Sequence, residues 1–334
     1  MTEKGVFTHL TPEVIITAVE EALGMRMTGL TMPLPSYINR VYELQTFSGE
    51  RIIAKFYRPG RWSRAALEDE HHFVADCACE EIPVVQPLTL VSRTTVGETH
   101  GTYFALFPKK AGRVFEASAD EDWVRMGALL GRIHLAGSRR RADARLTMHP
   151  GSSTREDLDH LVRGGFVTPE HAHEFEDLCL SIIDEIAPLF VDVDLIRIHG
   201  DFHRGNLLDR PDEGLMVIDF DDMMMGPPVH DLWLLLPDQA RRSGRQIELI
   251  LQGYEDFYAF DRSSLRLIEA LRFMRIIYYL AWCARQSRDH DFRSNHPDWG
   301  TDAFWHREVL DLRHQRQVIM EHMVAWEEGR FFEP

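Results

Sequence analysis

The chain has 334 residues, of which 44% are apolar and 27% are charged. These are ordinary globular values, so they exclude global disorder and collagen-like repeats, and the length suggests about two domains. The formal net charge of −16 argues against general nucleic-acid binding, which depends on a positive field that neutralises phosphates. A nucleotide remains compatible with this charge, because a bound divalent cation can invert the local electrostatics.

The cysteines and the N-terminal residues bear on the compartment. The four cysteines form neither a CxxC pair nor a dense disulfide framework, which predicts reduced thiols. The sequence MTEKGVFTHL lacks the apolar core of a secretory signal, and no run approaches the roughly 18 apolar residues of a membrane span. We therefore expect a cytoplasmic protein that does not bind membranes or nucleic acid, and we expect a monomer.

The first third of the chain predicts a small α+β unit. Its first helix is well marked, because Thr11 can cap it, Pro12 suits the first helical position and Gly24 can end it. Alternating apolar and polar residues then predict strands on either side of one helical stretch. These predicted elements are strands at 41–47 and 50–58, a helix at 63–81, and strands at 88–93 and 102–107.

Beyond the segment PKKAG (108–112) the pattern becomes mainly helical. We interpret 108–112 as a hinge between a smaller lobe, 1–107, and a larger lobe, 113–334. The larger lobe has one β-loop-β exception to its helical pattern. Its predicted strands are 195–201, 206–210 and 215–220, with a PDEG turn before the last, and its predicted helices are 121–136, 229–236, 245–260, 263–285 and 303–326. The predicted fold class is α+β.

The most informative residues lie on this β-loop-β element. Asp201 follows a short apolar strand, Asn206 comes five residues later, and Asp219 ends the next strand. Magnesium-dependent phosphoryl transfer requires such a set: one Asp orients the acceptor hydroxyl, and an Asn and a second Asp ligate the metal. Oxygen ligands of this kind suit a hard cation such as Mg²⁺.

Two segments carry a resemblance to a known family. HGDFHRGN (199–206) and IDFDD (218–222) resemble the catalytic loop and metal-binding segment of kinases with the aminoglycoside phosphotransferase or choline kinase fold, distant relatives of protein kinases. The resemblance implies a bilobal protein-kinase-like fold, ATP and Mg²⁺ as cofactors, Asp201 as the catalytic base, Asn206 as a metal ligand, and Asp219 as the principal metal ligand. Asp221 stands where protein kinases have Gly. Its role, like that of Asp222, is left open between a second metal contact and a capping or solvated position.

Lys55 is one of only four lysines in the chain, against 33 arginines. It lies in the middle of a predicted strand, where an ammonium group needs a partner. IIAKF (52–56) resembles the kinase strand whose Lys contacts the α- and β-phosphates and pairs with a helix Glu. The following helix offers Glu68 and Glu70, and we favour Glu70.

The remaining nucleotide contacts are implied by the resemblance alone. No Walker A or GxGxxG motif occurs, so we assign the nucleotide-covering loop to 33–40, where Ser36 and Asn39 can donate hydrogen bonds. FALFPKKAG (104–112) falls at the family's interlobe hinge, which implies that backbone groups near Phe107 contact the adenine. In GPPVHDLW (226–233), the resemblance implies that Asp231 anchors the catalytic loop.

Within this family the whole-chain layout resembles the bacterial stress response kinases. The matching segments include SYINRVYEL, IIAKFYRPGRW, EIPVVQPL and GPPVHDLWLLLPD. This implies transfer of the γ-phosphate of ATP to Ser or Thr hydroxyls of proteins, including the kinase itself. The alternative is a small-molecule kinase for homoserine, choline or an aminoglycoside, which the acidic net charge favours mildly because such acceptors are often cationic.

Two further hypotheses are weaker. A non-catalytic nucleotide-binding scaffold would be expected to lose Lys55, Asp201, Asn206 or Asp219, and all four are present. A metal hydrolase built on His199, Asp201 and His203 would leave Asn206 and Asp219 unexplained.

Overall fold

The computed structural model describes residues 6–210, 214–287 and 289–330. Lys4 and residues 211–213 of the predicted PDEG turn lie outside these ranges. The strands are β1 (Met27–Leu34), β2 (Arg40–Thr46), β3 (Arg51–Phe56), β4 (Gly97–Thr99), β5 (Thr102–Pro108), β6 (Arg113–Val114), β7 (Ile196–Ile198), β8 (Leu207–Arg210), β9 (Gly214–Val217) and β10 (Met224–Gly226). The α-helices are α1 (Pro12–Leu23), α2 (Arg64–Cys79), α3 (Asp120–Ser138), α4 (Arg155–Arg163), α5 (Pro169–Ile186), α6 (Val229–Trp233), α7 (Gly244–Tyr254), α8 (Ile268–Gln286), α9 (His290–Asn295) and α10 (Asp302–Glu327).

The described chain forms two compact units. The first unit takes its residues from Met1–Phe115, Ala142–Arg145 and Arg204–Asp221, and the second takes Glu116–Arg141, Leu146–His203 and Asp222–Pro334. The division of the chain at 108–112 remains a prediction. In the structure Asn206 and Asp219 belong to the same compact unit as the N-terminal sheet, whereas Asp201 belongs to the other.

The first unit is built on an antiparallel sheet with strand order β1-β2-β3-β5-β4. Because strand side chains alternate between faces, one face of β3 carries Ile52, Ala54 and Phe56. These residues are buried in a core that includes Ile15 and Val19 of α1. The other face carries Lys55, and beside it Tyr57, Leu67 of α2 and Ala105 form a second, smaller core.

A second, three-stranded sheet with order β6-β8-β9 completes the first unit. The β8-β9 hairpin pairs Leu207 with Val217, and a single parallel bridge joins Val217 to Val84, which follows α2. The backbone N–H of Ile218 donates to the carbonyl of Asn206 over 3.1 Å. The hairpin therefore holds the predicted metal ligands Asn206 and Asp219 near each other at its open end, Asn206 before β8 and Asp219 after β9.

The second unit is mainly helical. Helices α3 and α7 cross closely at two glycines. A Cβ on Gly127 would lie 1.9 Å, and one on Gly253 2.0 Å, from a backbone oxygen of the facing helix. Helix α8 packs against α4, α6 and α10. The short antiparallel pair β7-β10 joins Ile198 to Met224 and leads directly into the segment that carries Asp201.

Most predicted elements are confirmed, and one strand is wrong. Thr11 caps α1 by accepting from Val14 N–H, and Gly24 ends it with φ +65°. Residues 88–93 form no strand. Leu88 N–H bonds to the Leu106 carbonyl, but the chain then turns at Arg93, whose φ is +62°, so it leaves the sheet and returns only as β4.

Strand β1 was missed by the sequence analysis. It contains Gly29 and Pro33, which weaken a strand prediction, and it lies at the edge of the sheet, where Pro is tolerated. Pro33 and Leu34, and Arg40 at the start of β2, belong to strands and not to the predicted loop 33–40. The loop between β1 and β2 is therefore 35–39, and its contact with a nucleotide stays a prediction.

Candidate active site

Lys55 lies between two carboxylates in the first unit. Its Nζ is 2.8 Å from Oδ1 of Asp219 and 3.4 Å from Oδ1 of Asp221, and its side chain is 12% exposed. Burial alone would lower the pKa of Lys55, but the two carboxylates outweigh it and hold the pKa well above its usual value. The residue is thus a permanent cation next to the predicted metal ligand.

Asp219 is the accessible member of this group. Its side chain is 53% exposed, and its backbone has the left-handed φ of +62°, which is uncommon for a residue other than Gly. Such strain is found at functional sites when the surrounding structure enforces it. Here the backbone bond between Ile218 and Asn206 enforces it on one side, and the short 3₁₀ turn Phe220–Asp222 does so on the other.

Asp221 is buried and holds several elements of the first unit together. Its Oδ2 accepts from Arg61 Nη1 at 2.7 Å and from Asn39 Nδ2 at 3.3 Å. Burial alone would raise the pKa of Asp221, but the cations Arg61 and Lys55 outweigh it and lower the pKa. Since its side chain is only 9% exposed and bonded to these partners, Asp221 has a structural role in this arrangement.

The predicted ion pair between Lys55 and Glu70 is wrong. Glu70 is buried in α2, and its Oε2 accepts from Arg145 Nη2 at 2.6 Å. Arg145 also donates to the carbonyls of Ala66 and Asp221, at 2.7 and 2.8 Å, and its guanidinium lies 4.1 Å from the centre of the Trp62 ring. Glu70 therefore connects α2 to the segment after Asp219 through Arg145, and acts on Lys55 only by its charge.

Burial raises the pKa of Glu70 to about 6, although Arg145 and Lys55 act in the opposite direction. No sequence signal pointed to Arg145, because it lies in the loop segment RADAR (141–145), which carries no periodic pattern. A buried arginine of this kind is identified only by its three-dimensional contacts.

Besides Lys55 and Glu70, three residues were predicted to lie at the nucleotide, and they occupy different positions in the first unit. Ser36 is half-buried in the 35–39 loop. Asn39 is buried, and its Oδ1 accepts from Arg58 N–H at 3.2 Å, so this side chain fixes the loop to the end of β3. Phe107 pairs with Ile53 in the sheet, and its ring meets His71 edge-on at 6.3 Å. Their contacts with a nucleotide stay predictions.

In the second unit the loop that carries Asp201 is anchored by Asp231. The carboxylate of Asp231 accepts from His199 N–H at 2.7 Å and from Gly200 N–H at 2.9 Å, and it meets His134 Nε2 at 3.1 Å. Burial alone would raise the pKa of Asp231, but the His134 contact and the nearby histidines outweigh it and lower the pKa. This geometry agrees with the anchoring role predicted for Asp231.

Asp201 itself is held by a basic residue that the sequence analysis missed. Arg275 of α8 donates from Nη2 to Oδ1 of Asp201 at 2.5 Å, and Oδ2 lies 3.4 Å from His203 Nε2. Burial alone would raise the pKa of Asp201, but His203 and Arg275 outweigh it and hold the pKa well below its usual range. The carboxylate therefore stays ionised, as an acceptor of the hydroxyl proton must be.

The residues of the metal-hydrolase hypothesis do not form a closed ligand set. His199 is fully buried, and its Nδ1 accepts from Asp201 N–H at 3.3 Å. Among the described residues, no group of three or more His, Cys, Asp or Glu side chains is arranged to hold a metal ion. An amide and a carboxylate, as in Asn206 and Asp219, still fit Mg²⁺, which commonly binds through one or two protein oxygens together with substrate phosphates and water.

Comparison with known proteins identifies the family of this chain. The phosphotransferase enzyme family matches residues 31–268. The chain is 35% identical over 320 residues to stress response kinase A of Escherichia coli strain K12, a match that covers 94% of this chain and 95% of that protein. It is also 35% identical over 318 residues to the serine/threonine protein kinase RdoA of Salmonella typhimurium strain LT2, with the same coverage.

Solved structures share the fold at lower identity. An amicoumacin kinase in complex with AMP-PNP and Ca²⁺ is 16% identical, with a TM-score of 0.73 and coverage of 94% of this chain and 95% of that one. A spectinomycin phosphotransferase in complex with ADP and spectinomycin is 14% identical, with a TM-score of 0.64 and coverage of 91% and 98%. The predicted fold is confirmed: a kinase-like lobe with an antiparallel sheet and a larger, mainly helical lobe.

No described helix has both the length and the apolar character needed to span a bilayer.

Proposed function

Because the chain belongs to the phosphotransferase enzyme family, we propose that it transfers the γ-phosphate of ATP to Ser or Thr hydroxyls of proteins, including its own, with Mg²⁺ as cofactor. We further propose that it does so as a monomer in the cytoplasm during a bacterial stress response. The observation that carries the proposal is the Lys55–Asp219 pair at 2.8 Å, with Asn206 bonded through its backbone to the residue before Asp219.

Each residue has a defined part in this reaction. The ammonium group of Lys55 binds the α- and β-phosphates. Asn206 and Asp219 would hold Mg²⁺, which when bound neutralises charge on the phosphates. Asp201 accepts the proton of the acceptor hydroxyl while the new oxygen–phosphorus bond forms and the bond to ADP breaks.

The choice of a protein acceptor rests on the curated relatives. Two of them, at 35% identity over 94% of the chain, are named as a stress response kinase and a serine/threonine protein kinase. The second candidate is a small-molecule hydroxyl kinase acting on homoserine, choline or an aminoglycoside. The solved neighbours include an amicoumacin kinase, a spectinomycin phosphotransferase and an aminopropanol kinase, and at 14–16% identity they show the fold alone.

Incubation of the purified protein with labelled ATP and Mg²⁺ tests the proposal. Label on the protein or on a generic Ser/Thr substrate, lost in both Asp201→Ala and Asp219→Ala, would support it. The control is Asp177→Ala, which removes an exposed carboxylate from α5 and should keep full transfer.

Other results would select another function. ATP turnover only after addition of homoserine, choline or an aminoglycoside would favour the small-molecule kinase. ATP binding detected by a thermal shift, without transfer to any acceptor, would favour a nucleotide-binding scaffold.

A further inference from the structure

Helix α8 contacts two loops of the second unit through one face. Arg275 and Tyr278 are three residues apart, so they project from the same side of the helix. Arg275 bonds to Asp201, and the Tyr278 hydroxyl donates to Oδ1 of Asp222 at 2.7 Å. One helix face thus reaches both the loop of the predicted base and the residue that begins the second unit again after Asp221.

From these contacts we infer that Arg275 and Tyr278 are positioning residues, which fix the carboxylate of Asp201 for phosphoryl transfer by bracing its loop against the Asp222 segment. This inference rests on the proposed function and deepens it. It assigns a role in the reaction to a C-terminal helix, in which the sequence showed only helical character.

The contact of Arg275 with the Asp201 loop has two parts. Nη2 bonds to the carboxylate at 2.5 Å, and Nη1 lies 3.4 Å from the carbonyl oxygen of Gly200. A guanidinium group can hold a side chain and a backbone carbonyl at once because its donors are arranged in a rigid fork. The side chains of Arg275 and Asp201 are 27% and 21% exposed, so the pair is largely shielded from water.

The two loops that α8 braces are already in backbone contact. Gly200 has φ +80°, and a Cβ at this position would lie 2.1 Å from the carbonyl oxygen of Asp222. Two residues from this contact along each segment, Ile198 of β7 pairs with Met224 of β10. The paired strands hold the backbones of the two loops together, and Arg275 and Tyr278 bind the side chains of Asp201 and Asp222.

Such a brace matters more for this reaction than the strength of the base. In most analyses phosphoryl transfer passes through a loose transition state, so catalysis depends mainly on positioning and electrostatic stabilisation. Arg275 bonds to Oδ1 of Asp201 at 2.5 Å, so it fixes the orientation of the carboxylate within its loop.

The test compares Arg275→Met, Arg275→Lys and Tyr278→Phe with the wild type. Loss of the brace should lower kcat of Arg275→Met roughly 100-fold, because a displacement of about 1 Å can have that effect. KM for ATP should stay within about twofold, since the variant removes no group that binds the nucleotide. Arg275→Lys should recover part of the lost kcat by restoring the charge, and Tyr278→Phe should show a smaller loss than Arg275→Met.

The matched control is Arg272→Met on the same helix. Arg272 contacts Glu269, the carbonyl of Asp238 and the Trp233 ring rather than Asp201, so the kcat of Arg272→Met should equal that of the wild type. Amide hydrogen exchange of 199–203 provides a readout that needs no activity. Exchange there should accelerate in Arg275→Met and stay unchanged in Arg272→Met.

The outcomes separate this inference from the proposed function. If the wild type transfers no more phosphate than Asp201→Ala, the proposed function fails, and unchanged exchange at 199–203 in Arg275→Met would then overturn the brace as well. If the wild type is active and Arg275→Met keeps its kcat, the inference alone is overturned. Equal losses of kcat and of thermal stability in Arg275→Met and Arg272→Met would also contradict it.

Discussion

Lys55 differs from most basic residues of the chain in type and from the other described lysines in place. The chain has 33 arginines and four lysines, and of the three lysines that the structure describes only Lys55 lies within a strand. A compact ammonium group and a guanidinium fork are not interchangeable beside a phosphate. The spacing of Asp201, Asn206 and Asp219 predicts a magnesium site for phosphoryl transfer, and the resemblance to the kinase family implies the phosphate contact of Lys55. Neither the spacing nor the resemblance pointed to Arg145 or Arg275, whose partners Glu70 and Asp201 lie 75 and 74 residues away.

Substitution of Lys55 tests its predicted contact with phosphate. Lys55→Met should lower kcat/KM for ATP by about 100-fold or more, the typical effect of removing a donor that stabilises transition-state charge. Lys55→Arg should recover only a small part, because the larger group must fit between Asp219 and Asp221. Lys110→Met is the control, and steady-state kinetics measures all three. Full activity in Lys55→Met would contradict the assignment.

His71 predicts a pH dependence of stability. Burial, with the cations Lys55 and Arg145, lowers its pKa to about 3, whereas an unfolded histidine titrates near 6.5. Below about pH 6.5 the unfolded chain binds the proton and the folded chain does not, so stability falls as the pH falls. The loss reaches at most about 2 kcal/mol at pH 5.

Urea unfolding at pH 7.5 and pH 5 measures this loss. The variant His71→Gln keeps a neutral hydrogen-bonding side chain next to Tyr57 and Thr95 but does not titrate. It should lose less stability than the wild type between the two pH values. An equal loss in both proteins would show that His71 is not the group responsible.

At the scale of elements, helix α2 shows what local pattern can and cannot predict. Its bounds follow from the Ser63 cap and from its spaced apolar residues, and the predicted helix at 63–81 is close to the observed Arg64–Cys79. Its tertiary partners do not follow from the pattern. The strand predicted at 88–93 does not form, for the same reason. Its polar and apolar residues do alternate, but backbone hydrogen bonds of this segment close a turn at Arg93 instead of extending the sheet.

The link between α2 and Arg145 predicts a large change in stability. Arg145→Met leaves Glu70 buried without its cation, which should lower the free energy of unfolding by about 3 kcal/mol or more. Adding Glu70→Gln should recover part of this loss, because it removes the uncompensated charge. Arg163→Met is the control, since its pair with Asp159 lies on the surface and should change stability by less than about 1 kcal/mol. Denaturant unfolding measures the series, and an equal effect of Arg145→Met and Arg163→Met would contradict this account.

At the scale of the whole molecule, three separate stretches of chain build the first unit. The sequence could not show that 142–145 and 204–221 fold with the N-terminal sheet, because no local pattern encodes such long-range pairing. It did show the fold class, because the order of strands, helices and the β-loop-β element is visible in hydrophobic periodicity. The net charge of −16 is also a property of the whole chain, and a bound divalent cation would offset it locally at a nucleotide site.

Removal of the metal should therefore remove most nucleotide binding. ATP with Mg²⁺ should stabilise the folded protein by about 2.7 kcal/mol at a ligand concentration of 100 Kd, which appears as a higher Tm. ATP with EDTA should give little or no shift, and so should MgATP with Asp219→Ala. A shift of equal size with and without Mg²⁺ would contradict the assigned roles of Asn206 and Asp219.

Phosphosite mapping distinguishes a Ser/Thr protein kinase from a small-molecule kinase. The wild type and Asp201→Ala are each incubated with ATP and Mg²⁺ and a Ser/Thr-containing protein substrate, and the products are analysed by mass spectrometry. With the wild type we expect phosphate on Ser or Thr side chains of the protein itself and of the substrate, and with Asp201→Ala we expect none. Equal phosphorylation by both proteins, or phosphate found only on a small-molecule acceptor, would contradict it.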